Sequence, residues 1–125
     1  MGIVHSPVPA GNLPVSNYTS AAFSDKAAVS TTPVIVKEVR VTNASGGTRY
    51  LHLFDSTAVP ADGVAPTIMP VAVINGSSLA YTFPNGGQFF SLGLCWCSST
   101  TQATKTLGGA TDFWIEIDFV KQGST

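Results

Sequence analysis

From Phe113 to Phe119 the chain reads Phe-Trp-Ile-Glu-Ile-Asp-Phe, so that Phe113, Ile115, Ile117 and Phe119 alternate with Trp114, Glu116 and Asp118. On a helix those four apolar side chains would scatter around the axis. On a strand they share one face, because successive side chains point to opposite sides. Asp112 to Val120 is therefore predicted to be a half-buried antiparallel strand, one face on a core and one in water.

The rest of the chain from Pro33 onward is divided by turn residues into pieces of similar kind. Val34 to Thr42 is rich in β-branched residues, alternates in its second half and stops at Asn43-Ala-Ser-Gly-Gly47. Arg49 to Phe54 follows, with Leu51 and Leu53 on one face and Tyr50, His52 and Phe54 on the other, and the two segments are expected to pair as a hairpin. Asp55 to Pro66 holds Pro60, Pro66 and Asp62-Gly63, which predicts a long surface loop of the kind that makes contacts. Thr67 to Ile74 reads as a strand whose Pro70 belongs at a sheet edge or bulge, and Asn75-Gly76 turns the chain. Leu79 to Phe83 and the strongly apolar Gln88 to Cys97 are two more strands, separated by Pro84-Asn-Gly-Gly87. Six strands with no sustained helical period, in 125 residues, predict one all-β domain, an antiparallel β-sandwich or jelly-roll-like barrel.

Residues 1–32 read differently. Pro7, Pro9, Pro14 and Gly11 interrupt any period, and Ala21 to Val29 offers one helical turn at most, so the segment is expected to be an extended arm, with the sandwich at 33–125. The arm carries Ile3, Val4, Val8, Leu13, Val15, Tyr18 and Phe23, too many apolar side chains for a chain that stays in water. These, with Val59 and Val64 of the long loop, are the candidate partner-binding residues.

Composition supports a partner. Only 10% of residues are charged, six basic and seven acidic for a net charge of −1, where roughly a quarter is usual for a soluble domain. Together with a mean hydropathy of +0.26, this describes a surface meant to be covered by other subunits. The apolar residues form no run near the ~18 needed for a membrane span. Lys26, Lys37, Arg40, Arg49, Lys105 and Lys121 are scattered, which argues against nucleic acid as a partner. The first residues lack the basic and apolar regions of a secretory signal, and without export the sequons at Asn17, Asn43 and Asn75 carry no meaning.

The residues that could do chemistry do not fall into working sets. His5 and His52 are the only imidazoles, no Gly-x-Ser-x-Gly elbow occurs, and Asp55 lies three residues from His52, on the opposite face of a strand. Glu116 and Asp118 share a face but sit where an outer strand needs solvation. Cys95 and Cys97 flank Trp96, too close for an unstrained disulfide and without further ligands for a metal, so two buried or half-buried thiols are expected. The chain is expected to be no enzyme and to need no cofactor or metal. Trp96, Trp114, Tyr50 and Tyr81 are the remaining binding signal, as a possible platform for sugar rings.

Several stretches resemble a pattern found in small structural proteins of tailed bacteriophage virions. They are Val39-Arg-Val-Thr-Asn43, Arg49-Tyr-Leu-His-Leu-Phe-Asp55, the loop Val59 to Pro66, Gly93-Leu-Cys-Trp-Cys-Ser-Ser-Thr-Thr-Gln-Ala-Thr104 and Asp112 to Asp118. The resemblance implies a β-sandwich acting as a capsid decoration (cement) protein. Such a protein is a virion component on the capsid surface, made in the host cytoplasm. Its partners would be the major capsid protein and, in a homotrimer, itself. The alternative is a tail or fibre module recognising host surface glycans through the aromatic residues and the Asp55 to Pro66 loop.

Overall fold

The computed structural model describes residues 14–122. These form nine strands: β1 (Ser16–Thr19), β2 (Lys26–Ser30), β3 (Val34–Asn43), β4 (Arg49–Phe54), β5 (Val71–Val73), β6 (Ser78–Thr82), β7 (Gln88–Phe90), β8 (Leu94–Ser99) and β9 (Phe113–Lys121). Every pairing between them is antiparallel. The first sheet runs β1-β9-β3-β6, with β7 also on β3, and the second runs β2-β8-β4-β5. The fold is an all-β sandwich of two antiparallel sheets.

The main core lies between the sheets. Strand β9 sends Phe113, Ile115, Ile117 and Phe119 into it, as its alternation predicts, and Leu51, Leu53, Leu94 and Trp96 meet them from the second sheet. Strand β3 contributes Val34 and Val36, then Val39 and Val41, two pairs of opposite parity. A bulge between Val36 and Glu38 absorbs Lys37 and re-phases the strand, so that both pairs face inward.

The expected hairpin of Val34–Thr42 with Arg49–Phe54 does not form. Strand β3 pairs with β6, β7 and β9, whereas β4 pairs with β5 and β8 in the other sheet. The connection crosses between sheets because each strand has an apolar face of its own, and the two faces are best buried against each other. Asn43 shapes the crossing: its amide nitrogen donates to the carbonyls of Gly47 and Val73, and its Oδ1 accepts from the Ser45 N–H. At the same end Arg49 Nε donates to Asp112 Oδ2 at 2.9 Å, tying the start of β4 to the approach to β9.

Gln88 to Cys97 is likewise two strands in different sheets. The break at Ser91–Gly93 is held by the Asp55 carboxylate, which accepts from the Ser91 N–H and hydroxyl and from the N–H groups of Leu92 and Gly93. Gly93 is required there, since a Cβ would collide with the carbonyl oxygens of Ser30 and Ser56. The arm boundary also moves. Residues read as an arm form two edge strands, with Ser16–Thr19 on β9 and Lys26–Ser30 on β8, so the sandwich takes in residues well before Pro33. Ala21 to Val29 gives bends and part of β2 rather than a helical turn.

Removing the Asp55 clamp should loosen the β7–β8 crossover. Asp55→Ala is expected to destabilise the fold by about 1–3 kcal/mol, read from the urea midpoint. Partial burial pushes the Asp55 carboxyl up, but the hydrogen bonds from Leu92, Ser91 and Gly93 outweigh it and hold its pKa below the ordinary value. Its contribution is therefore present above the unfolded carboxylate pKa and fades as pH falls through the lower folded value. The mutant should show less acid sensitivity than the parent in that window.

Candidate functional site

The residues with chemical potential are taken up by structure. His52 is fully buried on the outer face of the second sheet, its ring edge-on to Phe54 at 6.0 Å between centroids. Neither ring nitrogen has a hydrogen-bond partner in the structure. Burial lowers the imidazole pKa, outweighing the nearby backbone of Gln102 and Thr101, and Lys105 acts in the same direction as burial. Asp55, bound to the Ser91–Gly93 backbone, points its carboxylate away from any partnership with His52. Cys95 and Cys97 are free, buried thiols, as expected from their spacing. Desolvation raises both, Cys97 to about 12.

Glu116 and Asp118 do share the outer face of the first sheet, with Arg40 between them. The guanidinium contacts Glu116 Oε1 at 2.8 Å, Asp118 Oδ2 at 2.9 Å and Glu38 Oε2 at 3.2 Å. Hydrogen bonds from Arg40, then Asn17, lower the Asp118 pKa, and those carboxylates in turn raise the pKa of Arg40. The acids thus form a cross-strand ion network centred on one cation.

The four aromatics do not form one platform. Trp96 is fully buried and stacks on Phe113 inside the sandwich. Trp114 is half-buried on the outer face of the first sheet, in a depression of about 330 Å³ floored by Thr42, Ser78 and Ala80. Tyr81 opposes Val39 and so leans toward the gap between the sheets, edge-on to Phe83. Tyr50, on β4, belongs to the second sheet.

The candidate partner-binding residues divide into three groups. Ile3, Val4, Val8 and Leu13 lie outside the described residues. Tyr18 packs on the main core, and Val59 packs on the second cluster of Phe54, Cys95 and Cys97, so both serve the domain itself. Val15, Phe23 and Val64 are exposed. The sequence reading missed the exposed Met69, Ile74, Phe89 and Leu92, at 53–79% of full accessibility. The signal available was their place beside turns and the Pro70 edge.

Most of the charged side chains among the described residues have a partner. Arg40 pairs with Glu38, Glu116 and Asp118, a cluster in which the acids outnumber the base, while Arg49 pairs with Asp112 and Lys105 with Asp62. Lys37 Nζ donates to the Gly86 carbonyl, and Asp55 is held by backbone N–H groups. Asp25, Lys26 and Lys121 remain as charged side chains without such a partner among the described residues.

No protein-family model matches the chain, and no curated protein matches it. Among solved structures it is similar to the tobacco streak virus coat protein, with 13% identity and a TM-score of 0.40 over 96% of this chain and 94% of that one. Neither figure is high enough to carry a function across.

Two measurements check this account of the buried groups. Cys95 and Cys97 should resist a thiol reagent at mildly alkaline pH in the native protein and react fully once it is unfolded. Stability should also fall from about pH 7 to about pH 5, because the unfolded chain takes up a proton at its ordinary histidine value of 6.5 while folded His52 resists it. His52→Leu should flatten that decline; an unchanged slope would show that His52 is not its source.

Proposed function

We propose that the protein is a virion structural subunit, a capsid decoration (cement) protein that binds between major-capsid subunits as a homotrimer and stabilises the head. The observation that carries this reading is the scarcity of charge, 10% of residues, in a chain whose surface also exposes Val15, Phe23, Met69, Ile74, Phe89 and Leu92. A domain left alone in water needs mixed free charge to stay apart from its neighbours. A subunit whose surface is covered on assembly does not, and symmetry multiplies modest contacts into strong attachment. In this reading the protein does no catalysis, and its ion pairs and buried polar groups serve the fold.

Recognition of host glycans by a tail or fibre module is the weaker reading. It needs aromatic rings on a common face, and Trp96, Trp114 and Tyr81 lie in the core, on an outer face and at the sandwich edge.

The test is to add the protein to heads that lack it and image the particles. Density at junctions between major-capsid subunits, with heads that withstand higher temperature, is the expected result. Density confined to the tail, or bare heads, would overturn the proposal. Truncations should stop short of Ser16, since a longer cut enters β1 and removes part of the sandwich. Loss of residues 1–13 is expected to weaken attachment at least tenfold, read as occupancy against added protein.

A further inference from the structure

The sandwich is open along one side. Strands β6 and β5 are the outer strands of the first and second sheets, and a groove of about 280 Å³ runs between them. Its walls include Ile68, Met69, Val71, Tyr81, Phe83 and Pro84. The groove leads into the core, because Val71, Tyr81 and Phe83 also border a narrow crevice whose inner wall is Val39, Val41, Leu51 and Leu53. The opening has a local cause. Strands β6 and β7 both run along β3 in the same direction, and between them Phe83 still donates its N–H to the Lys37 carbonyl before the chain turns through Asn85, Gly86 and Gly87 at positive φ. Met69, 79% exposed, and Tyr81, 43% exposed, stand at the rim.

The chain enters the described fold at the other side. Residue Ser16 opposes Phe119 on β1, the far edge of the first sheet from β6. Phe119 also opposes Val36, which pairs with Gln88 beside the groove, so entry point and groove lie at the same end of the sandwich. Residues 1–13 carry Ile3, Val4, Val8 and Leu13 and no acidic or basic side chain apart from His5. Fully extended they reach roughly 40 Å, well beyond the width of the sheet.

We propose that the groove between β5 and β6 receives residues 1–13 of a second copy of this chain, with the apolar side chains around Val8 seated against Met69, Val71 and Tyr81. Apolar walls without charge suit an apolar, uncharged segment, and the arrangement is head to tail. The β1 side of one copy faces the β5–β6 side of the next, so each copy gives one segment and receives one. Repetition of that heterologous contact closes a ring when the rotation between copies permits it. The outer edge of β6, which carries no charged residue or proline, is also free for main-chain pairing with the incoming segment. The proposal rests on the self-association part of the function proposed above and identifies the surfaces that perform it.

Disulfide capture between two full-length variants tests it. One carries Val8→Cys and the other Met69→Cys; Cys95 and Cys97 are buried and remain silent in the folded protein. Mixing the two under mild oxidation should give a mixed dimer in at least half of the chains, with each variant alone giving little. A chain carrying both substitutions should form covalent rings or ladders. A monomeric internal disulfide in the double variant, without a mixed dimer, would place the segment in its own groove and overturn the proposal. Dimers of Met69→Cys alone would place two β5 edges together and overturn it also, as would the absence of any cross-link. A Met69→Asp variant adds an independent check: Met69 is exposed, so the fold should persist while the native oligomer dissociates at least tenfold more readily. If cross-linking fails and the protein still decorates heads, only the groove assignment falls. If cross-linking succeeds and heads stay bare, only the capsid reading falls.

Discussion

Strand β8 is buried on both faces, and much of the molecule is arranged to satisfy that condition. Leu94 and Trp96 fill the main core, while Cys95 and Cys97 point outward and are covered together with Phe54 by Val59 and Leu107. A central strand with two apolar faces cannot leave either in water, so loops must fold over the outer one. Lys105 is nearly buried in that cover and pairs with Asp62 of the facing loop. The N–H of Gly63 and the carbonyl of Val64 bind the backbone of Lys105. The long loop is thereby part of the second layer of packing as well as a surface element.

The same condition fixes the surroundings of His52. His52 opposes Cys97 across β4 and β8 and is sealed under the same cover. Its neighbours in sequence, Leu51 and Leu53, face the main core. A buried imidazole with no hydrogen-bond partner is held neutral by desolvation. On the outer face of the opposite sheet Arg40 gathers Glu38, Glu116 and Asp118 into one cross-strand network. Several ionisable groups are thus engaged within the fold, and the surface is sparsely charged and partly apolar.

Strand positions were legible where alternation was strong. Arg49–Phe54 matches β4, Val34 begins β3, and the alternate residues of β9 face as their spacing requires. Pairing was not legible, because a period of two tells which side chains share a face and not which sheet the strand joins. Hence the expected hairpin became a crossover. The break in Gln88–Cys97 depends on a carboxylate 36 to 38 residues away, Asp55, which no local pattern announces, although Gly93 marks the close approach. β1 and β2 were hidden because they are short edge strands with polar residues, stabilised mainly by partners, β9 and β8, far along the chain. Of the candidate contact residues, exposure separated Val15, Phe23 and Val64 from Tyr18 and Val59, a distinction that hydrophobicity alone cannot make.

If the sparsely charged surface is covered by further subunits, as proposed, the protein associates with itself. Sedimentation equilibrium of the full-length protein at moderate salt measures it most directly. The expected result is a closed oligomer, with a mass near three times the chain's 13.0 kDa, that persists on dilution. A single species at the mass of one chain across the whole concentration range would contradict it.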